Sequence, residues 1–231
     1  KADMAGTLHI VATPIGNLDD ITARAIKILK SADLILCEDT RVAQKLLARF
    51  GVQKPLESYH QHSTLRKADH ILDLLGEGKN LALVSDAGTP GICDPGNQLV
   101  AAAIEKFGDE IKIIPVPGAS AAAAALSVCG FCADRFVFLG FPPAKNKRKK
   151  YFQDLLSCGY TAVFYESNFR ILKTLAEIDE LNPDKSRRVV VCRELTKTFE
   201  TVYRGAIPEV IAKIKKDPLK GEFVAVLEGK Q

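Results

Sequence analysis

Ser85-Asp86-Ala87-Gly88-Thr89-Pro90-Gly91-Ile92-Cys93-Asp94-Pro95-Gly96 is the stretch of sequence that decides the fold. It follows a continuous apolar run, residues 81–84, which is typical of a buried parallel strand. A helical pattern over residues 98–104 comes next. Glycine lets a backbone approach a ligand closely, and proline fixes its path. Because ligands of open α/β sheets bind at the carboxyl ends of strands, the stretch predicts a ligand-binding loop.

Two further junctions have the same strand–loop–helix character. One is Ile113-Ile114-Pro115-Val116-Pro117-Gly118-Ala119-Ser120-Ala121, and the other is Ile10-Val11-Ala12-Thr13-Pro14-Ile15-Gly16-Asn17. Each junction alone fits an ordinary turn as well as it fits a site. Three such junctions in one half of the chain predict one shared site.

Strands and helices alternate through the first half of the chain, which predicts right-handed βαβ crossovers and a mainly parallel sheet. In the second half, a helix is expected over residues 168–181, and residues 198–204 alternate in the manner of an antiparallel strand. We therefore expect an α/β protein of two α/β domains. Residues 7–132 would contain the parallel-rich sheet and residues 133–231 a mixed sheet.

Composition narrows the class of protein. The chain has 231 residues, of which 47% are hydrophobic, and a net charge of +4. No apolar run approaches the roughly 20 residues needed to cross a bilayer, and Lys1-Ala2-Asp3-Met4 is unlike a signal peptide. A single Cys-x-x-Cys pair, at Cys129 and Cys132, is not completed by a second pair or by a histidine spacing typical of zinc. We expect a cytoplasmic protein with reduced thiols and no metal site.

Basic residues concentrate in Lys145-Asn146-Lys147-Arg148-Lys149-Lys150, next to Phe141-Pro142-Pro143. Such a run can neutralise phosphates, although it is also typical of a solvated surface loop. The chain contains neither the P-loop pattern nor Gly-x-Gly-x-x-Gly. These absences disfavour a P-loop and a Rossmann dinucleotide site.

In three motifs the chain resembles the tetrapyrrole methylase superfamily, whose members use S-adenosylmethionine (SAM). Thr13-Pro14-Ile15-Gly16-Asn17-Leu18, Glu38-Asp39-Thr40-Arg41 and the stretch from Ser85 to Gly96 look like one branch of that family. That branch methylates the ribose 2′-hydroxyl of a cytidine in small-subunit (16S) ribosomal RNA near the decoding centre. The resemblance runs from about Thr7 to Gly229. It implies two α/β domains with SAM in a cleft between them, a homodimer, and ribosomal RNA as the substrate.

Two other functions remain open at this point. One is C-methylation of a tetrapyrrole such as a precorrin or uroporphyrinogen, because the many carboxylates of such a substrate would also attract lysine and arginine. The other is a non-catalytic RNA-binding module. The pairing of the Glu38–Arg41 motif with the Ser85–Gly96 stretch resembles the RNA branch and favours RNA methylation.

The resemblance implies a SAM site formed largely by backbone groups. Gly88-Thr89-Pro90 takes the place of the family's usual Gly-Asp-Pro, with Asp86 placed to compensate for the missing aspartate. The helix start at residues 118–121 suits the SAM carboxylate. Core packing is the alternative for Leu195 and Ala225. The residues expected to bind the cofactor are Pro14, Gly16, Asp86, Gly88, Thr89, Pro90, Ile92, Gly118, Ala119, Ser120, Ala121, Tyr165, Glu166, Leu195 and Ala225.

Methylation of a ribose hydroxyl is helped by a base that removes its proton. Asp39 and Glu166 are the expected catalytic residues, with Glu38 and Glu194 as further candidates. The alternative for Asp39 is a helix N-cap that pairs with Arg41.

The RNA contacts are expected in two places, the basic run and the segment Tyr59-His60-Gln61-His62. The second segment could stack on or hydrogen-bond an unstacked cytidine, or form a polar surface loop. The residues expected to bind RNA are Arg41, His60, His62, Lys145, Lys147, Arg148, Lys149 and Lys150.

Overall fold

A computed structural model describes residues 5–60, 65–94, 96–183 and 187–230. The strands of this part of the chain are β1 (Thr7–Val11), β2 (Leu34–Cys37), β3 (Leu56–Ser58), β4 (Asn80–Val84), β5 (Lys112–Val116), β6 (Phe136–Phe138), β7 (Thr161–Ser167), β8 (Arg188–Arg193), β9 (Thr201–Ala206) and β10 (Glu222–Leu227). Its helices are α1 (Ala23–Ser31), α2 (Thr40–Arg49), α3 (Leu65–Gly76), α4 (Gly96–Phe107), α5 (Ala121–Cys129), α6 (Arg148–Ser157), α7 (Ile171–Leu181) and α8 (Ile207–Ile214).

The first sheet is all parallel and has the strand order β3-β2-β4-β1-β5. Its central strand β4 is apolar on both faces, because Leu81 and Leu83 join one buried cluster while Ala82 and Val84 join another. Burial on both faces is typical of parallel sheets and explains the unbroken apolar run. The predicted parallel sheet is confirmed.

The second sheet is mixed and has the strand order β6-β7-β10-β8-β9. Strands β6 and β7 are parallel, whereas β10 runs antiparallel to both β7 and β8, and β9 antiparallel to β8. The predicted mixed sheet is therefore confirmed, together with the antiparallel strand expected near residues 198–204.

The chain divides into two compact units between Ser120 and Ala121, whereas the sequence predicted a boundary after residue 132. Helix α5 accounts for the difference, because Ala122, Ala125 and Leu126 pack with Val190 and Val224 of the second sheet. The helix therefore belongs to the second unit. Because its side chains are small and apolar, the sequence of α5 does not indicate which sheet the helix packs against.

Two properties of the described ranges bear on the kind of protein. None of their helices is long and apolar enough to span a membrane. Within the same ranges, no three His, Cys, Asp or Glu side chains gather as a group that could hold a metal ion.

Candidate functional site

The predicted cofactor loops of the first unit lie along one edge of its sheet. Because β2, β4, β1 and β5 are parallel neighbours, their carboxyl ends share that edge. The loops after these strands begin at Glu38, Ser85, Ala12 and Pro117. We call this the carboxyl edge of the first sheet.

A short backbone bridge joins the loops after β1 and β4. The Thr13 N–H donates to the Gly88 carbonyl at 2.8 Å, and the Gly88 N–H donates to the Thr13 carbonyl at 3.1 Å. The Thr13 hydroxyl also donates to the Ser85 carbonyl at 3.0 Å. All three residues are buried, so the bridge fixes the path of the glycine-rich stretch against the loop that contains Pro14 and Gly16.

Gly88 lies between the loops after β1 and β5. Its φ of +87° lies in the left-handed region that favours glycine. A Cβ added there would lie 3.5 Å from Cγ2 of Ile15 and 3.8 Å from the Ala119 carbonyl oxygen. Any longer side chain would have to pass between the loops after β1 and β5.

Gly118 and Thr89 bring the loop after β5 into the same group. A Cβ on Gly118 would lie 2.9 Å from the Cβ of Ala12, so only glycine lets this loop approach β1 so closely. The Thr89 hydroxyl donates to the Ala119 carbonyl at 3.2 Å. Thr89, which stands where the family usually has aspartate, thus ties two loops together. The loop after β5, residues 117–120, leads directly into α5, which begins at Ala121.

The remaining residues of the stretch differ in exposure. Pro90 is buried beside Gly88, whereas Ile92 is 49% exposed. Asp86 is also exposed, and its Oδ1 accepts the backbone N–H of Asp39 at 3.2 Å. The Asp86 N–H donates to Oε1 of Glu38 at 3.4 Å. Asp86 therefore links the loop after β4 to the loop after β2.

Asp94 and Glu38 lie near Asp86 at this point of the edge, and the pKa values of Asp94 and Glu38 are raised. Burial, followed by the charge of Glu38, raises the pKa of Asp94 to about 6. Burial also raises the pKa of Glu38, which lies near the charges of Asp86 and His60. Asp94 is consequently a carboxylate that can take up a proton close to neutral pH.

Asp39 forms the N-cap that the sequence left open as an alternative. Its Oδ1 accepts the backbone N–H of Arg41 at 2.8 Å, and its carboxylate pairs with the Arg41 guanidinium at 2.6 Å. Hydrogen bonds from the Arg41 side chain and backbone hold the pKa of Asp39 well below its usual range. A carboxylate held this way is a weak base, so these contacts favour the capping role.

The predicted cytidine-contacting segment follows β3 at the same edge. His60 is exposed and near enough to Glu38 to act on it electrostatically, whereas Tyr59 is buried. His62 lies outside the described residues.

The predicted cofactor residues of the second unit divide into two kinds. Tyr165 is half-buried, and its ring lies 4.9 Å from that of Phe138 and 5.4 Å from that of Phe141. Leu195 is half-buried against the cluster that contains α5. Ala225 is wholly buried among the helices on the other face, opposite Phe164, so its side chain serves core packing.

Glu166 is the centre of a buried ion-pair network. Its carboxylate is 2.8 Å from the Arg170 guanidinium and accepts the Thr174 hydroxyl at 2.6 Å. Arg148 reaches the same carboxylate at 4.0 Å, the Thr174 hydroxyl at 2.5 Å and Glu177 at 2.5 Å. Because its oxygens are engaged by donors of the fold, Glu166 is suited to a structural role and poorly suited to act as a base.

Arg148 therefore departs from the prediction that the whole basic run contacts RNA. Arg148 is only 7% exposed, and its Nη1 also donates to the Pro143 carbonyl at 2.9 Å. Its charge is engaged inside the unit. The other basic residues of the run are exposed: Lys145, Lys147, Lys149 and Lys150.

Asp94 and Phe169 are candidate site residues that the sequence did not predict. Asp94 lies inside the decisive stretch, where an acid among glycine and proline residues was the available signal. Phe169 is 90% exposed in the turn after β7, where a large aromatic between Asn168 and Arg170 was the signal.

Comparison with known proteins places this geometry in a family. Residues 7–211 match the family described as Tetrapyrrole (Corrin/Porphyrin) Methylases. The chain is 45% identical over 230 residues to Ribosomal RNA small subunit methyltransferase I of Halalkalibacterium halodurans, which covers 99% of this chain and 78% of that protein. It is 46% identical over 227 residues to the protein of the same name from Escherichia coli O157:H7, covering 97% and 78% respectively.

Solved structures with little sequence identity have the same fold. Diphthine synthase has a TM-score of 0.74 at 15% identity, covering 96% of this chain and 90% of that one. Cobalt precorrin-4 methyltransferase, a cobalamin biosynthetic enzyme, has a TM-score of 0.68 at 20% identity, covering 96% and 94%.

Proposed function

Since the chain belongs to the tetrapyrrole methylase family, we propose that it is a SAM-dependent methyltransferase of 16S ribosomal RNA that acts on the 2′-hydroxyl of a cytidine near the decoding centre. The observation that carries the proposal is the 45% identity over 99% of the chain to a ribosomal RNA small subunit methyltransferase I. The loops at the carboxyl edge of the first sheet are included in that alignment.

The residues of this edge suit SAM, which supplies a methyl group activated by a sulfonium. Gly88 places no side chain between the loops after β1 and β5, and Gly118 lets the loop after β5 pack closely against Ala12, so backbone groups are presented at this edge. A site formed by backbone groups binds its ligand through N–H and carbonyl groups. The N–H groups that precede and open α5, in residues 118–121, suit a carboxylate.

We assign the role of base to Asp94. When bound, SAM would supply a methyl group whose carbon–sulfur bond breaks as the ribose oxygen bonds to the methyl carbon, so that a neutral thioether leaves. The Asp94 carboxylate would take up the proton of the ribose hydroxyl. Asp94 lies at the carboxyl edge, near the charges of Glu38 and Asp86. Asp39 then serves as cap and as the partner that orients Arg41 toward RNA.

The pH dependence of methyl transfer tests this assignment. Only the ionised carboxylate accepts a proton, so kcat/KM should rise as pH increases through about 6 and level off above it. Asp94→Asn should lower kcat by about 100-fold or more and remove the rise. Asp39→Asn is the matched control and should retain the rise of the rate with pH. Loss of the rise in Asp39→Asn, with Asp94→Asn unchanged, would contradict the assignment.

The exposed lysines of the basic run are proposed to contact RNA phosphates. Replacing Lys145, Lys147, Lys149 and Lys150 with alanine should weaken RNA binding. The slope of log K against log salt should become shallower by about 0.7–0.9 for each phosphate that the variant no longer neutralises. The measurement is RNA binding by anisotropy across a salt series, with the exposed Lys27→Ala of α1 as the control. An unchanged slope in the quadruple variant would remove the basic run from the RNA site.

A second candidate function, C-methylation of a tetrapyrrole, is favoured by the family description and by the fold shared with cobalt precorrin-4 methyltransferase. Parallel assays with labelled SAM distinguish the candidates. We expect transfer to small ribosomal subunits and none to uroporphyrinogen or a precorrin. Turnover of either kind excludes a non-catalytic RNA-binding module.

Location and assembly complete the proposal. A ribosomal RNA substrate and the free cysteines of the described residues fit a cytoplasmic protein. A homodimer is the assembly that the family resemblance implies, and sedimentation of the purified protein tests it.

A further inference from the structure

Two exposed phenylalanines lie at one end of the second sheet. Phe141 is 54% exposed and follows β6, and Phe169 is 90% exposed and follows β7. Because β6 and β7 are parallel neighbours, both segments leave the sheet at the same edge. Exposed apolar surface that gathers in one place marks an interaction site more often than a single exposed residue does. We refer to Phe141 and Phe169 as the phenylalanine pair.

The backbone that carries the phenylalanine pair is held firmly. Arg170 Nη1 donates to the Pro142 carbonyl at 3.2 Å, which joins the residue after Phe169 to the residue after Phe141. Arg170 is itself anchored on the buried Glu166 at 2.8 Å. The Phe141 ring also lies edge-on to Tyr165. These contacts hold the two exposed rings on anchored segments rather than on loose loops.

Positive charge borders the same segments. Lys145 and Lys147 continue the chain from Phe141, and Lys149 and Lys150 lie in the first turn of α6. The nearby acids Glu166 and Glu177 are occupied by Arg148, Arg170 and Lys173. Among the described residues, the four lysines form no ion pair with an acid, so their charge is available to an anionic partner.

We propose that the phenylalanine pair is a stacking platform for unstacked bases of a single-stranded RNA segment whose phosphates lie along the four lysines. Every base presents a flat π-face to an aromatic ring, and single-stranded nucleic acids are bound by such rings beside positive charge. The inference rests on the proposed function in that it names how the RNA substrate is held. A second copy of this chain is the competing occupant, but a two-fold contact centred on this patch would place its own lysines against these.

The chain has no tryptophan, which allows a direct optical test. Phe169→Trp introduces one exposed reporter, and addition of a single-stranded oligoribonucleotide of mixed sequence should quench its fluorescence. The same RNA annealed into a duplex should quench less, because its bases remain stacked. Phe136→Trp is the matched control, since Phe136 is 50% exposed at the opposite end of β6 and should respond to neither RNA.

A second variant separates stacking from charge. Replacing both Phe141 and Phe169 with alanine should weaken binding of the single-stranded RNA by about tenfold or more. The slope of log K against log salt should stay as in the wild type, because the phosphate contacts remain. The thermal unfolding midpoint should also be unchanged, which shows that the fold is intact.

The platform proposal is overturned if RNA does not quench Phe169→Trp, or if the double variant binds RNA with wild-type affinity. It is also overturned if the emission of the introduced tryptophan is already blue-shifted without RNA and depends on protein concentration. The last would assign the pair to a second copy of the chain. The proposed function fails separately, if the wild type transfers no methyl group to ribosomal RNA; quenching by RNA would still support the platform in that case.

Discussion

Replacing Gly88 with arginine is expected to abolish SAM binding while the protein stays folded. The new side chain would start 3.5 Å from Ile15 and 3.8 Å from the Ala119 carbonyl and would extend into the space that the loops leave open. SAM affinity should fall by about 100-fold or more, equivalent to about 3 kcal/mol. Isothermal titration calorimetry gives the affinity, and circular dichroism reports the fold.

Gly51→Arg is the matched control for this substitution. Gly51 follows α2 with a φ of +64° and would meet no heavy atom within 4 Å of an added Cβ. It therefore suffers a similar backbone strain, of about 1–2 kcal/mol, without obstructing a loop. Wild-type SAM affinity in Gly51→Arg and abolished affinity in Gly88→Arg would place the cofactor at the carboxyl edge. Equal affinities in the two variants would remove it from that edge.

Replacing Arg148 with methionine is expected to destabilise the second unit severely. The substitution removes the guanidinium that reaches Glu166, Thr174 and Glu177 and leaves the buried Glu166 carboxylate with fewer partners. Breaking a buried charge pair on one side costs about 3–5 kcal/mol. Urea unfolding followed by circular dichroism measures the decrease in free energy of unfolding.

Lys149→Met is the control, because it also replaces a basic side chain with methionine, but at the adjacent, exposed position. Its free energy of unfolding should stay within about 0.5 kcal/mol of the wild type. Arg148→Lys keeps the charge but not the planar fork of donors, so its stability should fall between the two. Equal stability of the Arg148 and Lys149 variants would mean that the network does not support the unit.

The sheets were predictable because their strands carry local signals. The residues 81–84 are apolar without interruption, as a strand covered on both faces requires, and residues 198–204 alternate as a strand at a sheet edge does. The boundary was less predictable. Helix α5 is apolar all round, and nothing in such a sequence specifies which sheet buries it.

The roles of charged residues could not be read from the chain alone. Arg148 stands in a run of exposed lysines, and only its partners at Thr174 and Glu177, distant in sequence, make it a buried residue. The raised pKa of Asp94 likewise depends on burial and on the charge of Glu38, which the fold brings near it, whereas the low pKa of Asp39 comes from its sequence neighbour Arg41. Residue type gave the candidates, and tertiary contacts separate them.

The start of α7 shows how a small difference in an element can hide a residue to which we assign a function. The sequence predicted a helix from residue 168, but α7 begins at Ile171. The Asn168 side chain donates to the Leu219 carbonyl, and the Arg170 N–H donates to the Ser167 carbonyl, so residues 168–170 form a turn. Phe169 consequently projects from a turn, where its ring is exposed, instead of lying in a helix.

Identification of the methylated product tests the central claim most directly. The protein would be incubated with methyl-labelled SAM and with small ribosomal subunits that lack their own modifications, and the RNA would then be digested and mapped. We expect label in 2′-O-methylcytidine at one alkali-resistant linkage near the decoding centre. Label on a base, or no label on RNA together with transfer to uroporphyrinogen or a precorrin, would contradict the assignment of this chain as a ribosomal RNA 2′-O-methyltransferase.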